Sequence, residues 1–108
     1  MKILFDQGTP VPLRHSLPGH EIATAYERAW QALQNGELLA AAEAGGFDMI
    51  VTTDKNLRYQ QNLVGRRLAI VVLSTTDWRR IRLHAELVAK AVETITSGAY
   101  VEVFIPLP

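Results

Sequence analysis

The chain contains no cysteine, which excludes disulfide frameworks and thiolate metal sites and leaves nothing to argue for an oxidising compartment. Net charge is absent as well, because eleven Lys and Arg balance eleven Asp and Glu. That balance excludes the overall positive field by which many nucleic-acid binders steer their ligand, so any such contact has to be local. Long apolar runs are missing too. After Met1-Lys2 the apolar stretch is cut by Asp6, too early for a signal-peptide core, and no later segment has the length and apolarity to span a bilayer. A cytosolic location is the resulting expectation. Internal repeats, low-complexity tracts and linkers are also lacking, so one domain over residues 1–108 is expected.

What is present is an ordinary globular composition, 48% hydrophobic and 20% charged, in a chain too short to divide into two stable cores. Lys2 to Phe5 is a short apolar run stopped by Asp6-Gln7-Gly8, the pattern of a buried strand ending in a loop. Thr9 then suits an N-cap and Pro10 the first helical position, with Val11, Leu13 and Leu17 as the apolar side until Pro18-Gly19. His20 to Ala25 alternates as a second strand. Tyr26, Trp30 and Leu33 fall at helical spacing and predict a helix over 26–33, broken at Asn35-Gly36. Strong helix formers from Glu37 to Ala44 predict another, stopped by Gly45-Gly46. Met49 to Thr52 reads as a third strand running into Thr53-Asp54, and a short helix is expected over 55–63.

Leu68 to Leu73 has no polar face, as in a strand covered on both sides within a parallel sheet. Asp77 is placed to cap one long amphipathic helix with Ile81, Val88 and Val92 inward, ended by Gly98, after which Tyr100 to Ile105 alternates as the last strand. Strands alternating with helices predict an α/β fold: a mainly parallel central sheet with helices on both faces, in three layers.

In such sheets ligands gather at the carboxyl ends of the strands. Asp6 directly follows the first strand, Asp54 follows the third after two threonines, and Glu37 stands in the first turn of the helix leading into that third strand. Three carboxylates sharing one pocket would repel unless a dication compensated them. Oxygen ligands of this kind favour Mg²⁺ or Mn²⁺, and a metal so held polarises a phosphate and supplies hydroxide, which suits phosphodiester hydrolysis. Each residue also has a plain structural reading. Asp6 suits an Asx-turn, Asp54 the N-cap of a following helix, and Glu37 the favourable end of a helix dipole.

Lys2-Ile3-Leu4-Phe5-Asp6-Gln7-Gly8-Thr9-Pro10 resembles the opening of small PIN-like proteins, where an aspartate ends the first strand before a short polar loop and a proline. Asn35-Gly36-Glu37-Leu38-Leu39 is similar to that family's acidic residue at a helix start. Ile50-Val51-Thr52-Thr53-Asp54-Lys55-Asn56-Leu57 resembles its third-strand motif. Gly46-Phe47-Asp48 and Tyr59-Gln60-Gln61-Asn62-Leu63 are similar to segments of one subgroup. The resemblance, which covers nearly the whole chain, implies a PIN-like fold and a metal-dependent RNA-cleaving enzyme, the toxin of a toxin and antitoxin pair. It further implies Mg²⁺ or Mn²⁺ held by Asp6, Glu37 and Asp54, with RNA and a cognate antitoxin as partners; a homodimer is compatible with it.

Two residues depart from the family pattern. Asn56 stands where many PIN-like proteins carry a further acid; its amide oxygen can still ligate but adds no charge. Gln7 stands where many have glutamate. A catalytically weakened binding module is therefore the alternative expectation. A phosphate-accepting receiver, which also places acids after the first and third strands, is disfavoured because Asp6 is followed by Gln7 and Leu73 by Ser74-Thr75-Thr76 rather than by a lysine.

Asp77 lies beyond the fourth strand and is expected to be a cap rather than a fourth acid, while Asp48 precedes a strand and belongs at the opposite edge. Lys55, Arg58, Arg79 and Arg80 are candidate phosphate contacts beside the pocket, with Arg82 on the same stretch, although solvated faces explain them nearly as well. Trp30 is a candidate base-stacking ring, with helix-period packing as its plainer role. His15, His20 and His84 lack metal-ligand spacing.

Overall fold

The computed structural model describes residues 1–57, 63 and 65–107. Five strands, β1 (Lys2–Phe5), β2 (Glu21–Thr24), β3 (Met49–Thr52), β4 (Ala69–Leu73) and β5 (Tyr100–Val103), form a single sheet in the order β2-β1-β3-β4-β5. Every pairing is parallel, as the unbroken apolar character of residues 68–73 implies. The helices laid out among the described residues include α1 (Asn35–Ala44), α2 (Trp78–Leu83) and α3 (Ala85–Thr94), with a 3₁₀ segment over Val11–Ser16.

Strand alternation splits the core into two layers. Ile3, Phe5, Met49, Val51, Val71 and Leu73 face one way, against Leu13, Ile81, Val88 and Val92 of the 3₁₀ segment, α2 and α3. Leu4, Ile50, Ile70 and Val72 face the other, against Leu38, Leu39 and Ala42 of α1 together with Phe47. The result is a three-layer α/β/α arrangement. No helix among the described residues is long and apolar enough to cross a membrane.

Three local expectations are corrected. Residues 26–33 form turns, not a helix. Thr24 and Glu27 exchange backbone and side-chain hydrogen bonds as in a helix start, but Ala29 adopts φ +61°, and this left-handed residue ends the helical path within one turn. Tyr26 accordingly stays 74% exposed instead of packing. Glu27 is drawn to Arg14 at 2.9 Å, and the Arg14 hydrogen bond, assisted by the Thr24 N–H, lowers its carboxyl pKa.

The second correction concerns 9–17. The segment is 3₁₀ from Val11, with Pro10 and not Thr9 at its N-cap, because the Thr9 hydroxyl is turned away to Asp6 and to the Val51 carbonyl at 2.9 and 2.8 Å and so is not spent on a cap. In the third, Asp77 does cap, accepting from the Arg79 N–H at 2.9 Å, an arrangement worth about 1 kcal/mol. The helix it opens stops at His84, where φ −128° and ψ 29° leave the helical region before α3 begins. The helix expected over 55–63 lies largely outside the described residues.

Candidate functional site

The order of the sheet reverses between β1 and β3, which makes their carboxyl ends the switch point where loops diverge and a crevice opens. Phe5 pairs with Val51, and the Asp6 N–H reaches the Val51 carbonyl at 3.2 Å, so one further step along both strands sets Asp6 beside Thr52. Both continue the row of Leu4 and Ile50, the side covered by α1. The register thereby brings the first aspartate against the third-strand motif.

Hydroxyls hold Asp6. Thr52 donates to its Oδ2 through a short hydrogen bond and Thr9 to its Oδ1 at 2.9 Å, while both threonines are buried. The Thr52 hydroxyl also accepts from the Asp54 N–H at 3.1 Å, so one side chain links the two aspartates. Gly8 completes the turn: a Cβ there would collide with the Thr53 hydroxyl. That Thr9 and Thr52 hold Asp6 goes beyond the sequence reading, although a threonine at the end of an otherwise apolar buried strand, as Thr52 is, marks a polar group needing a partner.

Burial raises the Asp6 pKa above its ordinary 3.8, against hydrogen bonds from Thr52 and Thr9 and from the Gly8 and Thr9 backbone that lower it. The folded state thus binds the Asp6 proton more tightly than the unfolded chain does, and stability falls as pH rises from 3.8 through the folded pKa. Above that window the penalty of the desolvated charge is constant. In metal-free protein, Asp6→Asn is expected to raise the melting temperature at pH 7 relative to wild type, with the gain shrinking as pH falls toward 4; thermal melts across that range check it.

The other predicted site residues are placed as follows. Asp54 leaves the same switch point and accepts from the Asn56 N–H at 3.0 Å, the Asx-turn geometry. Glu37 reaches back to the Gln34 N–H at 3.3 Å, closing a capping box at the start of α1. Leu38, its neighbour, lines the cavity beside Asp6. Among the described residues, no three of the His, Asp and Glu side chains gather in a way that could hold a metal ion. The expected cluster of Asp6, Glu37 and Asp54 is therefore not assembled: hydrogen bonding to its own helix start is what occupies the Glu37 carboxylate.

Lys55 is exposed and lines a cavity of about 520 Å³ with Ser74 and Phe104. Arg79 is open to solvent. Arg80 lends its guanidinium to the Ile105 and Pro106 carbonyls at 2.7 and 3.4 Å, and so is a structural tie before it is a phosphate contact. Arg58 lies outside the described residues. Asp48 accepts from the Lys2 N–H at 2.8 Å, at the amino edge as expected. His20 bridges the N-terminal amine and Glu93.

No family model, curated protein or solved structure matches the chain. Mg²⁺ is commonly held by one or two carboxylates with water completing its shell; at this switch point Asp6 offers a buried carboxylate, and the Asp54 backbone N–H meets the same Thr52 hydroxyl. A buried carboxylate with a raised pKa is also a group that a cation relieves.

Proposed function

We propose that the chain is a PIN-like ribonuclease of the toxin type, dependent on Mg²⁺ or Mn²⁺, with Asp6 and Asp54 as its acidic centre. The observation that carries this reading is the placement of both aspartates at the switch point of a parallel sheet, linked by the Thr52 hydroxyl. Asp6 and Asp54 would hold the ion, with Asn56 as a neutral oxygen donor. When bound, the ion supplies Lewis-acid polarisation of a phosphate. The chain's own contribution is orientation: Thr52 and Thr9 fix both carboxylate oxygens of Asp6, and Gly8 lets the turn pass close to Thr53. Lys55, beside Asp54 in the chain, is a local positive charge for a phosphate in a protein without net charge.

Glu37 joins the centre only if its capping box opens, which costs the helix start on the order of 1 kcal/mol. A cognate antitoxin protein, a homodimer and a cytoplasmic location belong to the same proposal. The second reading, a PIN-like binding module of weak or no activity, is favoured by the lack of an assembled third carboxylate among the described residues and by Asn56.

The test is cleavage of a mixed RNA pool by purified protein with and without Mn²⁺, comparing wild type with Asp54→Asn. Cleavage that needs Mn²⁺ and is lost in the variant supports the nuclease. Equal cleavage by both proteins ends it, and RNA binding without cleavage selects the binding module.

A further inference from the structure

Beside Asp6 lies a cavity of about 150 Å³, bordered by Gln7, Trp30, Gln31, Leu33 and Leu38. Larger cavities exist elsewhere, one of about 280 Å³ at the amino edge near Asp48 and the one near Lys55, but this one has Asp6 in its wall. Its size is informative, since an engineered apolar cavity of about 150 Å³ takes up a single benzene ring. Its walls combine an indole and two leucines with two side-chain amides. Neither Gln7 nor Gln31 makes a side-chain hydrogen bond to another described residue, so both amides are available to a ligand.

An amide offers a carbonyl acceptor and two N–H donors, the complement of the alternating donors and acceptors on a base edge. Trp30 is held in place by an edge-on contact with Phe47, ring centroids 6.0 Å apart. Arg28 stands 5.2 Å from its ring centroid, a positive charge on the same indole for the phosphate that accompanies a base.

We infer that this cavity is a base-selection pocket for a single-ring nucleobase, a pyrimidine, of an RNA strand whose backbone passes Asp6. The inference rests on the ribonuclease reading and specifies its substrate. Trp30 supplies the aromatic surface, Gln7 and Gln31 the hydrogen bonds to the base edge, and Leu33 and Leu38 the apolar wall. Uracil and cytosine both fit, because an amide can present either end to either pattern. A purine, with its second fused ring, would have to project beyond the cavity into solvent.

The experiment uses the full chain with a chelator present, so that binding is read without cleavage. Affinities for oligouridylate, oligocytidylate and oligoadenylate of equal length are measured by anisotropy of labelled oligomers. Binding to the two pyrimidine oligomers on the order of tenfold tighter than to oligoadenylate is expected. Trp30→Ala is expected to weaken pyrimidine binding by roughly tenfold, and Gln31→Ala, at an exposed turn position that does not threaten folding, to reduce the preference. Equal affinity for all oligomers, or a preference untouched in Gln31→Ala and Trp30→Ala, overturns the inference. Mn²⁺-dependent cleavage without base preference would overturn the pocket and leave the nuclease standing. Pyrimidine-selective binding with no cleavage would uphold the pocket and remove the nuclease.

Discussion

Asp6→Asn is expected to reduce Mn²⁺-dependent RNA cleavage by at least ~100-fold, the upper end of what loss of a residue merely supporting a metal ligand costs, in a protein that melts no lower than wild type. The two halves of this result have one cause. Asp6 carries a charge that burial opposes, and the amide that replaces it keeps the shape and an oxygen acceptor while shedding that charge. A residue retained for stability alone would show the reverse, with lower melting on replacement and activity falling only in proportion to the folded fraction. Initial rates on a labelled RNA, set beside thermal melts of the same preparations, separate the cases. Cleavage within about threefold of wild type would remove Asp6 from the active centre, because ligand loss costs at least the 10-fold typical of weaker supporting contacts.

Phe5→Ala is expected to cost about 3–5 kcal/mol, a large part of the roughly 5–15 kcal/mol that holds a domain of this kind together. Phe5 is fully buried in the layer shared with Leu13, Val51 and Ile81, and it is the residue immediately before Asp6. Its removal empties the support beneath the switch point. Urea unfolding should show a lower midpoint at unchanged slope, whereas Tyr26→Ala, on an exposed turn, should stay within about 0.5 kcal/mol. A loss under about 1 kcal/mol for Phe5→Ala would mean that the layer closes over the gap and that the packing described is not what supports the site.

These two residues also show what was legible in the sequence. β4 is wholly apolar, and β1 and β3 are apolar except for Lys2 at the start of one and Thr52 at the end of the other; burial on both faces leaves such segments one assignment, so the parallel three-layer sheet and the edge carrying Asp6 and Asp54 follow from pattern. Asp77 was legible as a cap because its partner is two residues away. The helix expected over 26–33 failed for a local reason: its spacing was right, but Ala29 takes a left-handed conformation that no residue type announces. The break at His84 is equally silent in sequence, since Ile81, Val88 and Val92 keep one helical phase across it.

The site was legible in part. Strand ends located Asp6 and Asp54, but the Thr52 hydroxyl reaches Asp6 only through a register between strands 46 positions apart, which periodicity does not encode, and Thr9 closes on Asp6 three residues away through the loop's own turn. Glu37 had two readings of similar weight, metal ligand and the favourable end of a helix dipole, and the side chain takes the nearer partner, the Gln34 N–H at its own helix start.

Ala25, Trp30, Gln31 and Leu33 of the turn over 25–33 contribute to the wall of the cavity beside Asp6, together with Gln7 and Gly8 of the loop after β1 and Leu38 of α1. Exchanging Trp30 or Gln31 therefore disturbs no strand pairing and no hydroxyl that grips the aspartate. On the nuclease reading proposed above, substitutions in that turn would alter which base is held while leaving the grip on Asp6 intact.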